Sequence, residues 1–299
     1  MPEFLSASEP AIRLGFFLGI FALIALWEIA APRRSLSRPR WLRWYGNIGI
    51  VALNTVLVRL IFPLAPVGLA LLAAERGWGL LNAVALPFWL EVALAVVVLD
   101  LVIYLQHVMF HAVPALWRLH RMHHADLDFD VTTGSRFHPV EIVLSVVLKL
   151  AAVVVIGPPA VAVLIFEVLL NGTSMFNHGN VRLPAALDRA LRWFVVTPDM
   201  HRVHHSDIPA ETNSNFGFNL PWWDRLFGTY RAQPALGHEG MTIGLDTFRE
   251  SGELHLHRML LQPFRRGKGG YAINRHPRND MGNVSGNVSG DGGGDGGDT

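Results

Sequence analysis

Apolar residues occur along this chain in long runs that are separated by short polar segments. The first run covers residues 12–31, which matches the roughly 20 residues that a transmembrane helix needs. A signal peptide would carry basic residues before the run and a cleavage site after it, whereas here five arginines follow at 33–43. We therefore predict a retained span, with residues 33–43 in the cytoplasm because cytoplasmic loops are enriched in basic residues.

Two further apolar runs follow, and the second of them contains the first histidine of the chain. The run at roughly 47–74 is interrupted by one arginine and two prolines, which predicts either one kinked span or an interfacial helix followed by a span. The run at 87–111 begins with Pro87, a residue that is common in the first turn of a helix. At about 1.5 Å per residue, this helix crosses the bilayer and reaches the cytoplasmic surface near His107.

The fourth apolar region, residues 140–176, contains three charged residues and is divided by the sequence G-P-P at 157–159. Each half has about 17 residues, which is at the short end of what spans a membrane. We predict a helical hairpin, either fully crossing or re-entrant, that returns the chain to the cytoplasmic side. The histidines on both sides of the hairpin then share one face of the membrane.

Three later segments complete the pattern. Residues 183–197 fit an amphipathic surface helix whose apolar stripe consists of Leu187, Leu191, Phe194 and Val195. Residues 221–230 are rich in tryptophan and tyrosine, which favour the membrane interface, so we expect them to lie against the lipid headgroups. The tail at 279–299 is rich in Gly and Asp, cannot bury a core and is expected to be disordered.

The elements together predict an all-α, polytopic membrane protein whose transmembrane helices carry a cytoplasmic, histidine-rich helical cap that binds metal. We divide the chain into an N-terminal transmembrane region at 1–86, a central domain at 87–235 that includes the hairpin, a cytoplasmic extension at 236–278 and the tail.

Composition narrows the possible functions. Of the 299 residues, 51% are hydrophobic and 16% are charged, which is unusual for a soluble protein of this size. The net charge of +1 and the lack of a clustered basic face argue against nucleic-acid binding. The chain has no cysteine, which excludes disulfides, thiolate metal sites and a cysteine nucleophile.

Histidines form three closely spaced groups in the central domain. The pattern H-x3-H is followed by H-x2-H-H, and H-x2-H-H then returns 81 residues later. Residues three and four apart share a face of a helix, so each group presents its imidazoles to one side. The members are His107 and His111, then His120, His123 and His124, then His201, His204 and His205.

These eight histidines, with His178 as a ninth, exceed what one metal ion can use. Two metals are the economical interpretation, and we expect each to draw on one H-x-x-H-H group. The chain has no H-E-x-x-H, G-x-S-x-G, P-loop or dinucleotide-binding motif. A redox dimetal centre at a membrane surface fits oxygen activation on a lipid.

Two other classes of protein stay open at this point. A membrane metal transporter also uses histidines, but it would place them within the spans along a pathway. A bis-histidine haem protein needs facing histidines inside helices and has no need of two H-x-x-H-H groups. Neither alternative predicts that all the clustered histidines lie together in one place, so their arrangement in the structure distinguishes the three classes.

Several polar residues near the histidines are candidates for supporting roles. Asp126 and Asp207 occupy matching places after the two H-H pairs, where they could accept the second N–H of a ligand histidine or cap a helix. Asp100 lies in an apolar helix, so we expect it either to support the site or to pair with Arg59. His138 is a possible ligand, and a capping or supporting role at the start of the hairpin is favoured.

The remaining histidines are predicted to be ordinary surface or core residues. They are His238, His255, His257 and His276.

The three histidine groups resemble the histidine boxes of the fatty acid hydroxylase/sterol desaturase superfamily. The similarity covers roughly residues 90–230, and the first box departs from its frequent form, H-R-x-x-H, because Val108 follows His107. The further matching motifs are D-x3-Y from Asp100, R-F-H-P-x-E from Arg136, N-H-G-N from Asn177, T-P-D-M-H-R-V-H-H-S from Thr197 and N-F-G-x-N-L-P-x-W-D-R-L-F-G-T-Y from Asn215.

This resemblance implies an integral membrane, non-haem di-iron oxygenase that hydroxylates or desaturates lipid chains or sterols with O2. It also implies that two iron ions are bound by the eight box histidines, with His178 as an additional ligand and Asn177 beside it as a supporting residue. The chain contains no haem, flavin or iron–sulfur motif, so electrons must come from an external donor, a reductase with a small redox carrier.

Overall fold

The computed structural model describes residues 2–266 and 270–273, and within these ranges the chain contains helices and no β-strand. The tail at 279–299, predicted to be disordered, and His276 lie outside the described residues. The long helices are α1 (Pro2–Ala30), α2 (Arg40–Ile61), α3 (Pro66–Arg76), α4 (Phe88–Ala112), α5 (Pro114–His124), α6 (Pro139–Ile156) and α7 (Ala160–Asn177). The all-α prediction is therefore confirmed.

Shorter helices follow the hairpin of α6 and α7. They are α8 (Ala185–Leu191), α9 (Pro198–His204), α10 (Pro209–Thr212), α11 (Trp222–Leu226), α12 (Gly237–Gly240) and α13 (Leu256–Leu261). Short 3₁₀ turns cover Leu81–Ala83, Thr133–Ser135, Ser251–Leu254 and Gln262–Phe264. The amphipathic helix predicted over 183–197 is thus only seven residues long, and the chain after it turns towards α9.

Prolines set most of the helix boundaries. The predicted interruption between 61 and 66 separates α2 from α3, with a proline at the first position of α3. The hairpin turn forms at Gly157, which ends α6 in the left-handed conformation with φ of 65°. A Cβ at this position would lie 2.5 Å from the carbonyl oxygen of Trp78, so only glycine fits the turn.

The apolar core lies between α3, α4, α6 and α7. Val67, Leu99, Val153 and Phe166 are among its fully buried side chains. Phe218, from the segment after α10, belongs to the same cluster and also contacts the histidines, so the core leads directly to the histidine-bearing end of the bundle.

Within the part of the chain that the structure describes, five regions are long and apolar enough to cross a membrane. They are Ser8–Ala30, Arg40–Ala83, Phe88–Ala112, Pro139–Ile156 and Ala160–Asn177. Large apolar side chains on their outer faces are exposed, for example Leu23 and Leu26 of α1 and Trp89 of α4. At about 1.5 Å per residue, α6 and α7 are each about 27 Å long, close to the thickness of the hydrocarbon core.

Candidate metal centre

The nine predicted ligand histidines come together in two adjoining groups at one end of the helix bundle. All nine are buried, and within each group one nitrogen of every ring lies within 4.8 Å of the others. The first group, here called the five-histidine group, is His107, His111, His120, His124 and His204. The second, the four-histidine group, is His123, His178, His201 and His205.

The two H-x-x-H-H segments are divided between the groups. This arrangement differs from the expectation that each metal draws on one segment. In α5, His120 and His124 belong to the five-histidine group and His123 belongs to the four-histidine group. In the segment of α9 the division is the opposite: His201 and His205 belong to the four-histidine group and His204 to the five-histidine group. The reason is helical geometry, because residues i and i+4 project in nearly the same direction while residue i+3 points about 100° away from i+4.

Local sequence determines how the histidine-bearing helices begin and end. α5 starts with Pro114 directly after α4, so the chain reverses at once and brings the first two boxes together. α9 starts with Pro198, and the hydroxyl of Thr197 caps it by accepting a hydrogen bond from the N–H of Met200. His178 follows the last residue of α7 and lies where the hairpin returns to the cap.

Hydrogen bonds to the backbone fix the proton positions of three rings. The Nδ1 atoms of His107, His204 and His178 lie 2.7, 2.7 and 2.8 Å from the carbonyl oxygens of Phe216, Ser214 and Ser174 respectively. A carbonyl oxygen can only accept, so each Nδ1 carries the hydrogen. In a neutral imidazole the Nε2 is then a bare acceptor, which is the form that binds a metal.

These Nε2 atoms face one another at short distances. His107 Nε2 lies 3.1 Å from the Nε2 of both His120 and His204, and His178 Nε2 lies 3.2 Å from the Nε2 of both His123 and His201. Converging lone pairs repel one another unless a cation lies among them. The donor set, neutral nitrogens only, suits iron, zinc, copper or nickel, so the residues fit a transition-metal site.

Burial keeps the histidines outside the membrane spans neutral. It lowers the pKa of His120 and His178 to about 3. Burial, reinforced by repulsion from neighbouring imidazoles, also lowers the pKa of the other such ligands well below the usual 6.5, namely His123, His124, His201, His204 and His205. At neutral pH these rings therefore offer lone pairs without first losing a proton.

Aromatic side chains enclose both groups. Phe137 stacks on His123 with the ring centroids 4.5 Å apart, and Phe218 lies 5.0 Å from His107. Trp117 lies 4.8 Å from His111 on the other side. These rings therefore pack directly against histidines of both groups, and Phe218 also belongs to the apolar core.

The carboxylate that contacts a ligand histidine is Glu141, which the sequence analysis included in a motif but did not assign a role. Its Oε1 lies 2.6 Å from the Nδ1 of His120, and both side chains are buried. Glu141 stands in the first turn of α6, three residues after the cap His138. The spacing in R-F-H-P-x-E offered no geometric signal for this contact, because α5 and α6 meet only in the tertiary structure.

Among the described residues, neither Asp126 nor Asp207 is hydrogen-bonded to a histidine, which differs from the expectation for residues that follow the H-H pairs. Both oxygens of Asp126 accept hydrogen bonds from Arg43, at 2.7 and 2.9 Å. Burial alone would raise the pKa of Asp126, but the adjacent Arg43 guanidinium holds it well below its usual value. Among the residues described, no histidine donates to the Asp207 carboxylate; its backbone N–H and C=O bond to Thr242 and Tyr271.

The other predicted supporting residues have structural contacts. Asp100 accepts hydrogen bonds from the indole N–H of Trp223 and the N–H of Leu220, whereas Arg59 is exposed. His138 caps α6 by accepting from the N–H of Val140, which is the role favoured for it. The amide of Asn177 donates to the carbonyl oxygen of Phe218 and so holds a segment that lines the site.

Arg43 is the centre of a fully buried polar network that the sequence analysis missed. Its guanidinium binds Asp126, Asp130 and the hydroxyl of Thr133. The network joins α2 to the loop that begins directly after His124. The segment at 33–43 that indicated topology thus also holds the second histidine box in place.

A further contact to a histidine of the five-histidine group comes from Asn213. Its side-chain oxygen lies 3.1 Å from the Nδ1 of His111. The amide nitrogen of Asn213 donates to the carbonyl oxygen of Tyr271. His255 and His257 are exposed and lie outside both groups, as predicted. His238 is buried near Asp199, also outside both groups.

Comparison with known proteins agrees with this geometry. Residues 92–229 match the family described as fatty acid hydroxylase. Ornithine lipid hydroxylase OlsE of Rhizobium tropici is 29% identical over 192 residues, which is 64% of this chain and 56% of that protein. The alkylglycerol monooxygenases of Xenopus tropicalis and Homo sapiens are 29% and 27% identical over 147 residues, 48% of this chain and 31% of each protein.

The chain spans about half of the bacterial relative's length and about a third of the vertebrate ones. No solved structure matches it significantly. The five apolar helices, taken with these relatives, identify a multi-pass membrane protein. The domain at residues 92–229 therefore belongs to the fatty acid hydroxylase family.

Proposed function

We propose that this chain is a non-haem di-iron oxygenase that uses O2 and external electrons to oxidise an unactivated C–H bond of a membrane lipid. The observation that carries the proposal is the pair of adjoining groups of five and four neutral histidine nitrogens beside an apolar core. The names of the relatives, a lipid hydroxylase and alkylglycerol monooxygenases, favour hydroxylation over desaturation.

The five-histidine and four-histidine groups would each hold one iron. When bound, the two irons supply the redox chemistry by which O2 becomes able to attack an unactivated C–H bond. The chain supplies position and surroundings: backbone carbonyls fix the tautomers of His107, His178 and His204, and the aromatic enclosure keeps water away. The lipid chain would approach past Phe137 and Phe218 from the apolar core.

The same clustering argues against the two alternatives. A transport pathway would distribute its ligands along the spans, whereas all nine histidines lie at one end of the bundle. A haem would need a wide gap between two facing histidine rings. Here the nitrogens of four or five rings in each group lie within 4.8 Å of one another, which leaves no such gap. Neither alternative explains the division of both H-x-x-H-H segments between two groups.

The test of this function is transfer of labelled oxygen. The full-length chain, reconstituted in lipid with iron and with an added reductase and redox carrier, is incubated under ¹⁸O2, and the lipids are analysed by mass spectrometry. A hydroxylated lipid that carries ¹⁸O is expected only when the reductant system is present. Sustained oxidation by the pure chain without a reductant, or product that contains only oxygen from water, would contradict the proposal.

Glu141 is predicted to support metal binding through His120. Glu141→Ala removes the acceptor that orients the His120 ring, and losses of this kind typically cost about 10–100-fold in metal affinity or activity. Glu141→Gln keeps an oxygen that can accept from Nδ1 and should lie much closer to the wild type. The measurement is iron retained per chain during titration with a chelator.

Glu75→Ala, at an exposed position near the end of α3, is the control for loss of a glutamate. Retention of iron by Glu141→Ala at the level of this control would show that the contact with His120 has no role in the metal site.

We infer that the histidine groups face the cytoplasm, with an external reductase and carrier as partners. The support is the arginine-rich segment at 33–43, which is bonded to the cap through Arg34 and Asn180, two residues after His178. The opposite end of the bundle contains the hairpin turn, where the N–H of Leu80 donates to the carbonyl oxygen of Val155.

Cysteines introduced into this cysteine-free chain test the topology. Ser35→Cys, at an exposed position on the histidine side, should react with a membrane-impermeant thiol reagent only after the membrane is opened. Arg76→Cys, at the exposed end of α3, should react in intact cells. The reverse pattern of labelling would place the histidine groups outside the cell.

A further inference from the structure

The segment that contains α8 has two charged residues, Asp188 and Arg192, inside and several large apolar residues outside, with Arg189 exposed as well. Asp188 is buried, where its carboxylate pairs with Arg192 at 2.7 Å and accepts a hydrogen bond from the hydroxyl of Thr197 at 2.6 Å. Leu187, Trp193 and Phe194 are exposed. This orientation is the opposite of that expected for a helix whose apolar stripe packs on the protein, and it indicates an apolar environment outside.

α11 continues the same surface. Trp222, Leu226 and Phe227 are exposed, with 70% of Leu226 accessible. The indole N–H of Trp222 donates to the carbonyl oxygen of Trp193, and the Arg225 guanidinium lies 4.3 Å from the Trp193 ring centroid. The two segments therefore form one surface, here called the aromatic patch: Leu187, Trp193, Phe194, Trp222, Leu226 and Phe227.

Contacts with α4 determine the depth of the aromatic patch relative to the membrane. Trp223 bonds to Asp100 at 2.8 Å, and the Phe227 ring stacks on Tyr104 with the centroids 5.5 Å apart. At a rise of about 1.5 Å per residue, Asp100 lies about 18 Å before the end of α4 and Tyr104 about 12 Å before it. α11 therefore lies beside the transmembrane part of α4, about 5 to 10 Å before His107 along the helix axis.

The neighbouring surface of α4 is the lipid-facing surface of a span. Val98 and Leu105 are exposed on α4, and within the aromatic patch the Arg225 guanidinium stacks between the rings of Trp193 and Tyr230. Tryptophan, tyrosine and arginine of this kind are typical of the boundary between acyl chains and headgroups.

We propose that the aromatic patch is embedded in the membrane leaflet on the histidine side, where it contacts lipid acyl chains next to α4. The occupant is the bilayer itself rather than a second protein. The proposal goes beyond the oxygenase function and does not depend on it, because it rests on exposure, on the inverted orientation of α8 and on the depth of α11 along a span.

The experiment uses spin labels on single cysteines, which the cysteine-free chain allows without background. Phe194→Cys and Leu226→Cys are labelled with a nitroxide, and the full chain is reconstituted in nanodiscs at low spin density. Leu105→Cys provides the reference for a lipid-facing position, and Ser35→Cys the reference for an aqueous one. Collision rates with oxygen, which concentrates in lipid, and with a water-soluble nickel chelate are compared by power saturation.

The labels at 194 and 226 are expected to match the label at 105, with high accessibility to oxygen and loss of accessibility to nickel. Accessibility to nickel equal to that at 35 would place the aromatic patch in water and overturn the proposal. Protection from both reagents would mean that a protein covers the patch, which also overturns it. Because both substituted side chains are exposed, the variants should elute as the wild type does, and this is checked before labelling.

Discussion

Loss of all lipid oxidation is the expected result of either His123→Ala or His204→Ala. The two residues belong to different groups, His123 to the four-histidine group and His204 to the five-histidine group. A reaction that needs both metals fails when either group is damaged, so activity should fall to background in both variants. Iron content should differ, because His123→Ala leaves three nitrogens in its group and His204→Ala leaves four in the other.

The measurement is iron per chain and product yield for each variant in matched membranes. We expect the iron content of His123→Ala to approach half of the wild-type value, and that of His204→Ala to fall less. His255→Ala and His257→Ala are the controls, since both side chains are exposed and lie outside the groups. Full activity in His123→Ala or in His204→Ala would end the two-metal interpretation.

Destabilisation by about 3–5 kcal/mol is expected for Arg43→Ala, because the substitution leaves the carboxylates of Asp126 and Asp130 buried without their partner. All three side chains are fully buried, and Thr133 loses a hydrogen bond from Arg43 as well. The loop after His124 should loosen, so iron retention should fall together with stability. The measurement is the free energy of unfolding in mixed micelles, with iron per chain recorded on the same samples.

Arg40→Ala is the matched control, one helical turn earlier on α2. Arg40 lies over the ring of Trp44 at 5.8 Å, and a contact of this kind at a partly exposed position contributes about 0.5–1 kcal/mol. If Arg43→Ala lowers the free energy of unfolding by no more than Arg40→Ala does, the buried network does not stabilise the cap. The inference that α2 holds the second histidine box in place would then be wrong.

Periodicity and spacing predicted much of the fold. The apolar runs indicated α1, α4 and the hairpin of α6 and α7, because a helix that crosses a bilayer needs a long uninterrupted apolar segment. The hairpin turn at G-P-P was predictable since Gly157 and the prolines after it end one helix and begin the next. Spacing also selected eight of the nine histidines that the structure brings together, and the ninth, His178, came from the resemblance to the histidine-box family.

The orientation of short segments was not predictable in this way. The apolar stripe of α8 was visible in the sequence, but which side of it faces the protein depends on the pairing of Asp188 with Arg192 and Thr197. A short amphipathic segment presents the same pattern whether its apolar face meets a core or a lipid. Whether the apolar face packs on the protein or faces lipid depends on the environment of the segment, and the sequence pattern gives no information about that environment.

The sequence by itself determined the all-α class, most of the long apolar helices and eight of the clustered histidines, because these depend on local length and on spacing within single helices. Only the tertiary structure decided how the nine histidines divide into groups of five and four, since each group takes rings from helices that are far apart in the chain. It also decided that Glu141, rather than Asp126, contacts a ligand histidine, because Arg43 reaches Asp126 from α2 and holds it away. Such choices depend on which helices pack against one another, and periodicity within a segment carries no information about its partners.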